Sequence, residues 1–520
     1  MSYVMSIDAG TGSVRAVIFD EAGNQCGVGQ EEWVHIAEAF VEESMSFDYT
    51  ANWGLVCRCI KKSMLDAKVE VDEIKAVTAS SMREGIILYD KFGHEIWGVA
   101  NVDARAFKEV KYLKEKFPNL EEEFYNESGQ TFALGALPRL LWLKNNQPEI
   151  YDRVDKISMI SDWILAKLSG VIATEPSNSG TTGIFNLKSR DWSPTQAKKI
   201  GLKDNIFPKI YEPSTIIGKV TKRASMQTGL SEDTSVVIGG GDVQVGAVGL
   251  GAINEGDVAI LGGSFWQQIV NIKSDVNPPS DMSIRVNPHI VKNLSQAEGI
   301  TFFSGLVVRW FRDAFCDIEK MEAKKKGVDV YSILEDKAKD IPVGSYDIVP
   351  IFSDIMRYKK WYHASPSFIN LSLDPNICNR TSMFRSLEEN ACIVSSINLE
   401  NIFKFSNTNS ETIIFAGGAS KGKLWSQILA DVTGKNIKIP IVKEATALGG
   451  AILATVAIGV YDSIDETIKN MVKWDREIKP NMQNHKEYNK IKERWQEIYK
   501  SQLELVDRGL TRPMWKAPAI

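Results

Sequence analysis

The sequence is poor in cysteine and histidine, and these residues form no recognisable metal-binding or disulfide pattern. Six cysteines and five histidines are spread over 520 residues, and no two cysteines form a CxxC pair. We therefore expect neither a zinc site nor a disulfide framework, and the composition fits a reducing compartment such as the cytoplasm.

The sequence also lacks an excess of positive charge and a long, uniformly apolar run. Lys and Arg number 61 against 66 Asp and Glu, a net charge of −5, which argues against nucleic acid or an anionic membrane as the main partner. The longest apolar stretch, residues 445–461, is rich in Gly and Ala and predicts a packed helix rather than a membrane span. Because no basic region followed by an apolar core opens the chain, we expect no signal peptide and a cytoplasmic location.

The length and the element pattern favour two large α/β domains. A chain of 520 residues is too long for one core. In its first third, β-rich runs alternate with helical periodicity, at residues 74–80, 86–89, 104–116, 138–145 and 162–169. This alternation is typical of an α/β architecture, and we place the domains at residues 1–250 and 251–520.

A short acidic and glycine-rich turn near the start is the first candidate for a functional site. It lies between two strand patterns and consists of Asp8, Gly10, Thr11, Gly12 and Ser13. Backbone N–H groups, hydroxyls and a carboxylate in one place suit a nucleotide phosphate chain with a divalent cation. The alternative is a tight hairpin whose glycines only supply positive φ.

The same pattern recurs about 250 residues later in the chain. There Gly262, Gly263 and Ser264 separate two further strand patterns. The recurrence suggests two domains of related fold that face each other.

Residues 239–242 read Gly-Gly-Gly-Asp and predict a carboxylate at the end of a flexible loop. Asp242 could accept the proton of an attacking hydroxyl in phosphoryl transfer. Alternatively, it could cap a helix over residues 243–250. The surrounding stretch, 231–251, is also our candidate for a hinge.

Residues 417–424 resemble a P-loop but fail at one position. Leu424 stands where a Ser or Thr hydroxyl is needed for magnesium, so we exclude a P-loop NTPase. Gly417 and Gly418 would still let the backbone lie against a flat ligand such as adenine.

Two further groups of residues are candidates for substrate contacts. Arg83 and Glu84 follow a strand pattern and could hydrogen-bond vicinal oxygens, although a surface ion pair is the alternative. Phe265 and Trp266 could form the wall of a small pocket, although aromatic residues also fill cores.

Together these motifs resemble the FGGY family of carbohydrate kinases, within the actin-like ATPase superfamily. Residues 8–13 with Arg15 are similar to the family's first phosphate turn. The family's second phosphate turn is resembled by Gly262, Gly263 and Ser264, and its catalytic-base loop by Gly240, Gly241 and Asp242. Its adenosine-binding turn is resembled by Gly417 and Gly418. The stretches 162–164, 176–178 and 444–449 are similar to further family positions.

The resemblance implies two ribonuclease-H-like domains that flank an interdomain cleft. It also implies ATP and Mg²⁺ as cofactors, with Asp8 and Asp242 at the metal and Asp242 as the catalytic base. The implied substrate contacts are Arg83, Glu84, Asp242, Phe265 and Trp266.

A closer likeness within the family involves residues 81–85, 101–105, 262–268 and 515–518. It implies a small-molecule substrate, linear 4,5-dihydroxy-2,3-pentanedione, phosphorylated at its terminal C5 hydroxyl. A kinase for a xylulose- or ribulose-like sugar is the alternative, and a non-enzymatic actin-like nucleotide switch is a more distant one. Family relatives also imply a carrier protein of the sugar phosphotransferase system as a candidate regulator.

Overall fold

The computed structural model describes residues 2–355, 362–441 and 444–516. Among these residues, no helix combines the length and the apolar character needed to cross a membrane. Of the terminal stretch 515–518, residues 517 and 518 lie outside the described part.

The strands are, in chain order, β1 (Tyr3–Ala9), β2 (Ser13–Phe19), β3 (Gln25–Glu32), β4 (Ile74–Ser81), β5 (Ile86–Tyr89), β6 (Glu95–Val99), β7 (Lys156–Met159), β8 (Phe185–Asn186), β9 (Asp191–Trp192), β10 (Ile216–Lys219), β11 (Ser235–Gly241), β12 (Val258–Gly262), β13 (Trp266–Lys273), β14 (Arg285–Pro288), β15 (Leu294–Thr301), β16 (Val349–Ile351), β17 (Ser367–Ile369), β18 (Thr412–Ala416), β19 (Asn436–Pro440) and β20 (Trp474–Ile478).

The α-helices are, in chain order, α1 (Tyr49–Ala67), α2 (Phe107–Lys116), α3 (Leu120–Ser128), α4 (Ala136–Asn146), α5 (Pro148–Arg153), α6 (Ile160–Ser169), α7 (Pro176–Ser179), α8 (Thr195–Lys199), α9 (Lys222–Thr228), α10 (Asp242–Gly249), α11 (Ser304–Phe315), α12 (Asp317–Lys326), α13 (Val330–Ala338), α14 (Arg380–Ser406), α15 (Lys423–Thr433), α16 (Ala445–Ala457), α17 (Ile464–Met471) and α18 (Met482–Asp507). Short 3-10 helices occupy Val71–Glu73, Gly180–Thr182, Ser345–Asp347 and Gly418–Lys421.

Two large mixed sheets repeat one arrangement of six strands. The first has the order β10-β11-β4-β1-β2-β3, and the second has the order β14-β15-β13-β12-β18-β19-β20. The first sheet is read from β3 and the second from β15. In each, three antiparallel strands are followed by two parallel strands and an antiparallel edge strand. The strand β14 is an addition at the edge of the second sheet. The repeat confirms the predicted α/β fold with two ribonuclease-H-like domains.

Each large sheet is covered on one face by a helix from the other half of the chain. The helix α16 packs on the first sheet, where Leu448 and Ile452 join a core with Val4 and Val237. The helix α10 packs on β12, β13 and β18 of the second sheet. The packing therefore crosses position 250, and the predicted domain limits at 1–250 and 251–520 stay a prediction.

The two exchanged helices approach each other closely because glycines line their contact. A Cβ on Gly249 would lie 1.9 Å from the Ala445 carbonyl oxygen, and one on Gly449 would lie 1.9 Å from the Val245 carbonyl oxygen. Any larger side chain at these positions would force the helices apart. The helix α10, which carries Asp242, is thus held firmly against α16.

The three glycines before Asp242 form no flexible loop, so that part of the sequence interpretation is wrong. All three belong to β11 and are buried. A Cβ on Gly239 would lie 2.0 Å from the Ala79 carbonyl oxygen, and one on Gly240 would lie 2.7 Å from the Ser177 hydroxyl. The glycines therefore allow close packing of neighbouring segments. Residues 235–249 form β11 and α10, and the hinge role of 231–251 stays a prediction.

Candidate active site

Three adjacent parallel strands of the first sheet end at one edge, and this edge carries the acidic candidates. Asp8 lies opposite Ser80 in the β1–β4 pair, and Ser81 lies opposite Gly241 in the β4–β11 pair. Asp8 stands on β1 itself, and Asp242 begins α10 directly after β11. Ligands of α/β folds collect at this kind of edge.

The carboxylates of Asp8 and Asp242 affect each other's protonation. Burial raises the pKa of Asp8 to about 7, and the charge of Asp242 adds to the rise, whereas Arg15 opposes it. Burial also raises the pKa of Asp242 to about 6, and the Arg83 guanidinium opposes this rise. In both residues burial outweighs the nearby guanidinium, so the ionised carboxylates lack full compensation, and this environment favours a cation.

In the described part of the chain, no three or more His, Cys, Asp or Glu side chains gather into a metal site. A cation held by Asp8 and Asp242 would therefore need further oxygen ligands. Mg²⁺ fits this donor set, because it commonly binds one or two carboxylates and completes its shell with phosphate oxygens and water.

The first candidate phosphate turn is anchored through its carbonyl groups. The Trp33 indole donates hydrogen bonds to the carbonyl oxygens of Gly10 and Thr11, each at 3.1 Å. The Asn101 amide donates to the Thr11 hydroxyl at 2.9 Å. A Cβ placed on Gly12 would meet no atom within 4 Å, so the tip of the turn borders open space.

An ion pair joins this region to the start of α16. The Arg15 guanidinium donates to the Glu444 carboxylate at 2.5 Å, and Arg15 lies opposite Asp8 in the β1–β2 pair. The Thr446 hydroxyl donates to the Asp242 carbonyl oxygen at 3.3 Å. Residues from both halves of the chain therefore surround the two acidic candidates.

The second candidate phosphate turn lies beside the candidate adenosine turn. Gly417 has a φ of 97°, and a Cβ there would lie 2.7 Å from the Gly262 carbonyl oxygen. The Ser264 carbonyl oxygen accepts hydrogen bonds from the N–H groups of Gly305 and Leu306, at 3.1 and 3.3 Å. The structure thus brings Gly262, Gly263 and Ser264 together with Gly417 and Gly418 at one edge of the second sheet.

Arg83 and Glu84 are paired with residues of the second sheet rather than with each other on a surface. The Arg83 guanidinium donates to both carboxylate oxygens of Glu298 on β15, at 2.6 and 2.8 Å. Glu84 pairs with Arg285 on β14. Burial opposes ionisation of Glu84, but Arg285 and Arg83 outweigh it and hold its pKa below the usual value.

Sequence reasoning missed the residues that receive these two side chains. Glu298 also accepts hydrogen bonds from the amides of Gln244 and Asn287, at 2.8 and 2.7 Å. The available signal was a glutamate within a β-rich run that becomes β15, because a charged residue in a buried strand needs a partner.

The two aromatic candidates have different surroundings. Phe265 is 41% exposed and contacts the rings of Phe302 and Phe303. Trp266 is fully buried and packs against Phe415 and Trp425 in the core of the second domain. The geometry therefore gives Trp266 a core position, since it belongs to β13 and its side chain points into the helix-covered face.

A small apolar pocket adjoins the Glu84 region. Its lining includes Phe107, Leu134, Arg139 and Trp515, and Arg139 also donates a hydrogen bond to the Glu84 carbonyl oxygen. Trp515 contacts Phe302 of the second domain as well. The end of the described chain therefore contacts residues of both domains next to this pocket.

Two family models match most of the chain. Residues 3–249 match the N-terminal domain of the FGGY family of carbohydrate kinases, and residues 278–458 match its C-terminal domain. The chain belongs to the FGGY family of carbohydrate kinases. It is therefore an ATP-dependent phosphotransferase, and the alternative of a non-enzymatic nucleotide switch loses its support.

Similar FGGY proteins match over the whole chain. The autoinducer-2 kinases of Yersinia enterocolitica and Salmonella typhimurium are each 52% identical to it over 519 residues, which cover 100% of this chain and 98% of theirs. A xylulose kinase from Lactobacillus acidophilus superposes with a TM-score of 0.84 at 21% identity, covering 96% of this chain and 98% of that one. The glycerol kinase of Plasmodium falciparum reaches 0.81 at 18% identity, with 97% and 98% covered. The solved structures show the shared fold.

Proposed function

We propose that this FGGY kinase transfers the γ-phosphate of ATP to the C5 hydroxyl of linear 4,5-dihydroxy-2,3-pentanedione, the precursor of autoinducer-2. The observation that carries the proposal is the 52% identity to proteins named autoinducer-2 kinase, which extends over the whole chain. Such an activity would place the protein in the processing of a quorum-sensing signal.

In this proposal the two glycine turns hold the nucleotide. Thr11, Gly12 and Ser13 would bind phosphates from the first domain, and Gly263 and Ser264 would bind them from the second. The open space at Gly12 and the position of both turns at strand ends support this role. Gly417 and Gly418 would lie against the adenosine.

Asp242 would accept the proton from the C5 hydroxyl as its oxygen attacks the γ-phosphorus. Asp242 is the first residue of α10, and one oxygen of its carboxylate accepts a hydrogen bond from the Val243 N–H at 2.8 Å. That bond fixes the side chain, and a pKa of about 6 leaves it mostly ionised at neutral pH. Fixed position and a matched pKa are what general-base catalysis requires.

Asp8 and Asp242 would hold magnesium, directly or through water. When bound there, the ion would neutralise charge on the phosphate oxygens during transfer. The mutual repulsion of the two carboxylates supports this assignment, because a cation between them would relieve it.

Arg83 and Glu84 would orient the acceptor's oxygens, with Phe265 at the border of the site. The buried position of Trp266 supports a structural role instead of direct substrate contact. Correct orientation of the attacking hydroxyl can account for a large part of the rate in phosphoryl transfer.

The substrate assignment is tested by parallel kinetics with dihydroxypentanedione, xylulose, ribulose and glycerol. We expect the highest kcat/KM for dihydroxypentanedione and a product phosphorylated at C5, identified by phosphorus NMR. A much higher kcat/KM for xylulose or ribulose would replace our proposal with a pentulose kinase.

The family resemblance also supports a carrier protein of the sugar phosphotransferase system as a regulator. Adding purified carrier protein to the kinase assay should change its rate, whereas an unchanged rate over a range of carrier concentrations would remove this partner.

A further inference from the structure

Two ion pairs connect the first and second sheets through the two residues proposed to contact the acceptor. Arg83 and Glu84 are neighbours in the chain after β4 of the first sheet, and their partners Glu298 and Arg285 face each other in the β14–β15 pair of the second sheet. Positive and negative charges therefore alternate around a four-residue cluster, which we call the interdomain charge cluster.

The cluster is buried and its hydrogen bonds are specific. The Arg83 side chain is 6% exposed, and that of Glu298 is fully buried. The Arg285 and Glu84 side chains are 15% and 14% exposed. Buried charges at these distances interact strongly and fix each other's orientation, because water screens them little.

Neutral side chains complete the surroundings of the cluster from both domains. The Gln130 amide donates to the Asn287 side-chain oxygen at 2.9 Å, and the Arg285 guanidinium donates to the Gln130 oxygen at 2.7 Å. Gln244, two residues after Asp242, donates to Glu298. The network therefore connects the β14–β15 edge with the start of α10.

We propose that Glu298 and Arg285 are positioning residues for the acceptor substrate, supplied to the first domain by the second. This inference rests on the proposed function, in which Arg83 and Glu84 contact the acceptor. One Arg83 nitrogen, Nη1, donates to both carboxylate oxygens of Glu298, and Arg285 holds Glu84. The acceptor site is then complete only when the two domains are together.

A positioning role has a specific kinetic consequence. Without its partner, Arg83 or Glu84 can adopt other orientations, and the acceptor must bind at an additional entropic cost. The nucleotide turns at residues 8–13 and 262–264 do not belong to the cluster. The KM for the acceptor should therefore rise while the KM for ATP stays near its original value.

The test compares Glu298→Gln and Arg285→Gln with the unmodified protein. The kcat/KM of the unmodified protein is first measured for dihydroxypentanedione and for xylulose, and the better acceptor is used for all variants. A wrong substrate assignment is therefore recognised before any variant is tested. We expect each variant to raise the acceptor KM by ~10-fold or more, as for loss of a charged hydrogen bond, and to change the ATP KM less than about twofold. Glu298→Asp, which keeps the charge, should recover part of the loss.

A double-mutant cycle tests whether Arg285 acts through Glu84. If it does, Glu84→Gln combined with Arg285→Gln should raise the acceptor KM no more than Glu84→Gln alone. Additive effects of the two substitutions would overturn the proposed connection.

Glu389→Gln is the matched control, because Glu389 forms a similarly buried ion pair with Arg385 within α14, with side chains 4% and 7% exposed. It should lower the unfolding temperature without changing either KM. Equal behaviour of Glu298→Gln and this control would show a structural role only and overturn the inference. If Glu298→Gln does not fold, the less buried Arg285→Gln decides by the same criteria.

Discussion

Replacement of Asp242 by asparagine tests the proposed base most directly. In the unmodified protein the Val243 N–H donates a hydrogen bond to the Asp242 carboxylate at 2.8 Å. Asparagine has nearly the same shape, and its side-chain oxygen can still accept this bond. The variant should therefore fold and bind ATP. It cannot accept a proton, so the proposed general-base contribution is lost.

The expected loss in kcat is ~10² to 10⁴-fold, the usual contribution of a positioned general base. This corresponds to about 3 to 5 kcal/mol in the activation free energy. Stability should not fall: burial raises the pKa of Asp242 to about 6, so above that pH its ionisation opposes folding. The unfolding temperature of Asp242→Asn at pH 8 should equal or exceed that of the unmodified protein.

The assay is initial-rate phosphorylation at saturating ATP and acceptor, with ATP binding measured by calorimetry. Asp257→Asn is the control, because Asp257 is also partly buried and accepts backbone hydrogen bonds, from Ile253 and Asn254. It should keep its kcat. A loss in Asp242→Asn smaller than about tenfold would refute general-base catalysis by this residue.

Three further outcomes follow from the site and the core. The kcat/KM should fall as pH decreases from about 7 through about 6, since Asp8 must be ionised to hold the cation and Asp242 to accept the proton; a profile flat down to pH 5 would contradict this. Trp266→Ala should lower the free energy of unfolding by about 3–5 kcal/mol in a denaturant titration, with unchanged acceptor KM. Removing divalent ions with a chelator should abolish turnover, and added Mg²⁺ should restore it; persistent activity in the chelator would exclude the ion from the reaction.

Much of the local structure could be predicted from short stretches of sequence. The runs at 74–80 and 86–89 correspond to β4 and β5, and the helical pattern at 162–169 falls within α6. These elements depend on hydrophobic periodicity and on turn residues that lie close together in the chain. The repeated strand–turn–strand pattern likewise indicated the paired sheets.

The glycines before Asp242 show where local reading fails. A run of three glycines usually predicts flexibility, yet here each is buried in β11. Their function depends on what approaches them, namely the Ala79 carbonyl and the Ser177 hydroxyl. Those neighbours come from distant parts of the chain, so the sequence around 239–242 carries no sign of them.

The sequence by itself determined the two-domain α/β fold, the kinase family and the residue types at each glycine turn. These depend on strand and helix periodicity and on short motifs, which involve only residues close together in the chain. Only the tertiary structure decided which side chains meet across the domains. Arg83 and Glu298 are 215 positions apart in the chain. Trp266 begins β13 and is buried, whereas Phe265 precedes that strand and is 41% exposed. Contacts of this kind depend on how whole sheets and helices pack together: Trp266 is buried by Phe415 and Trp425, which lie about 150 positions later in the chain.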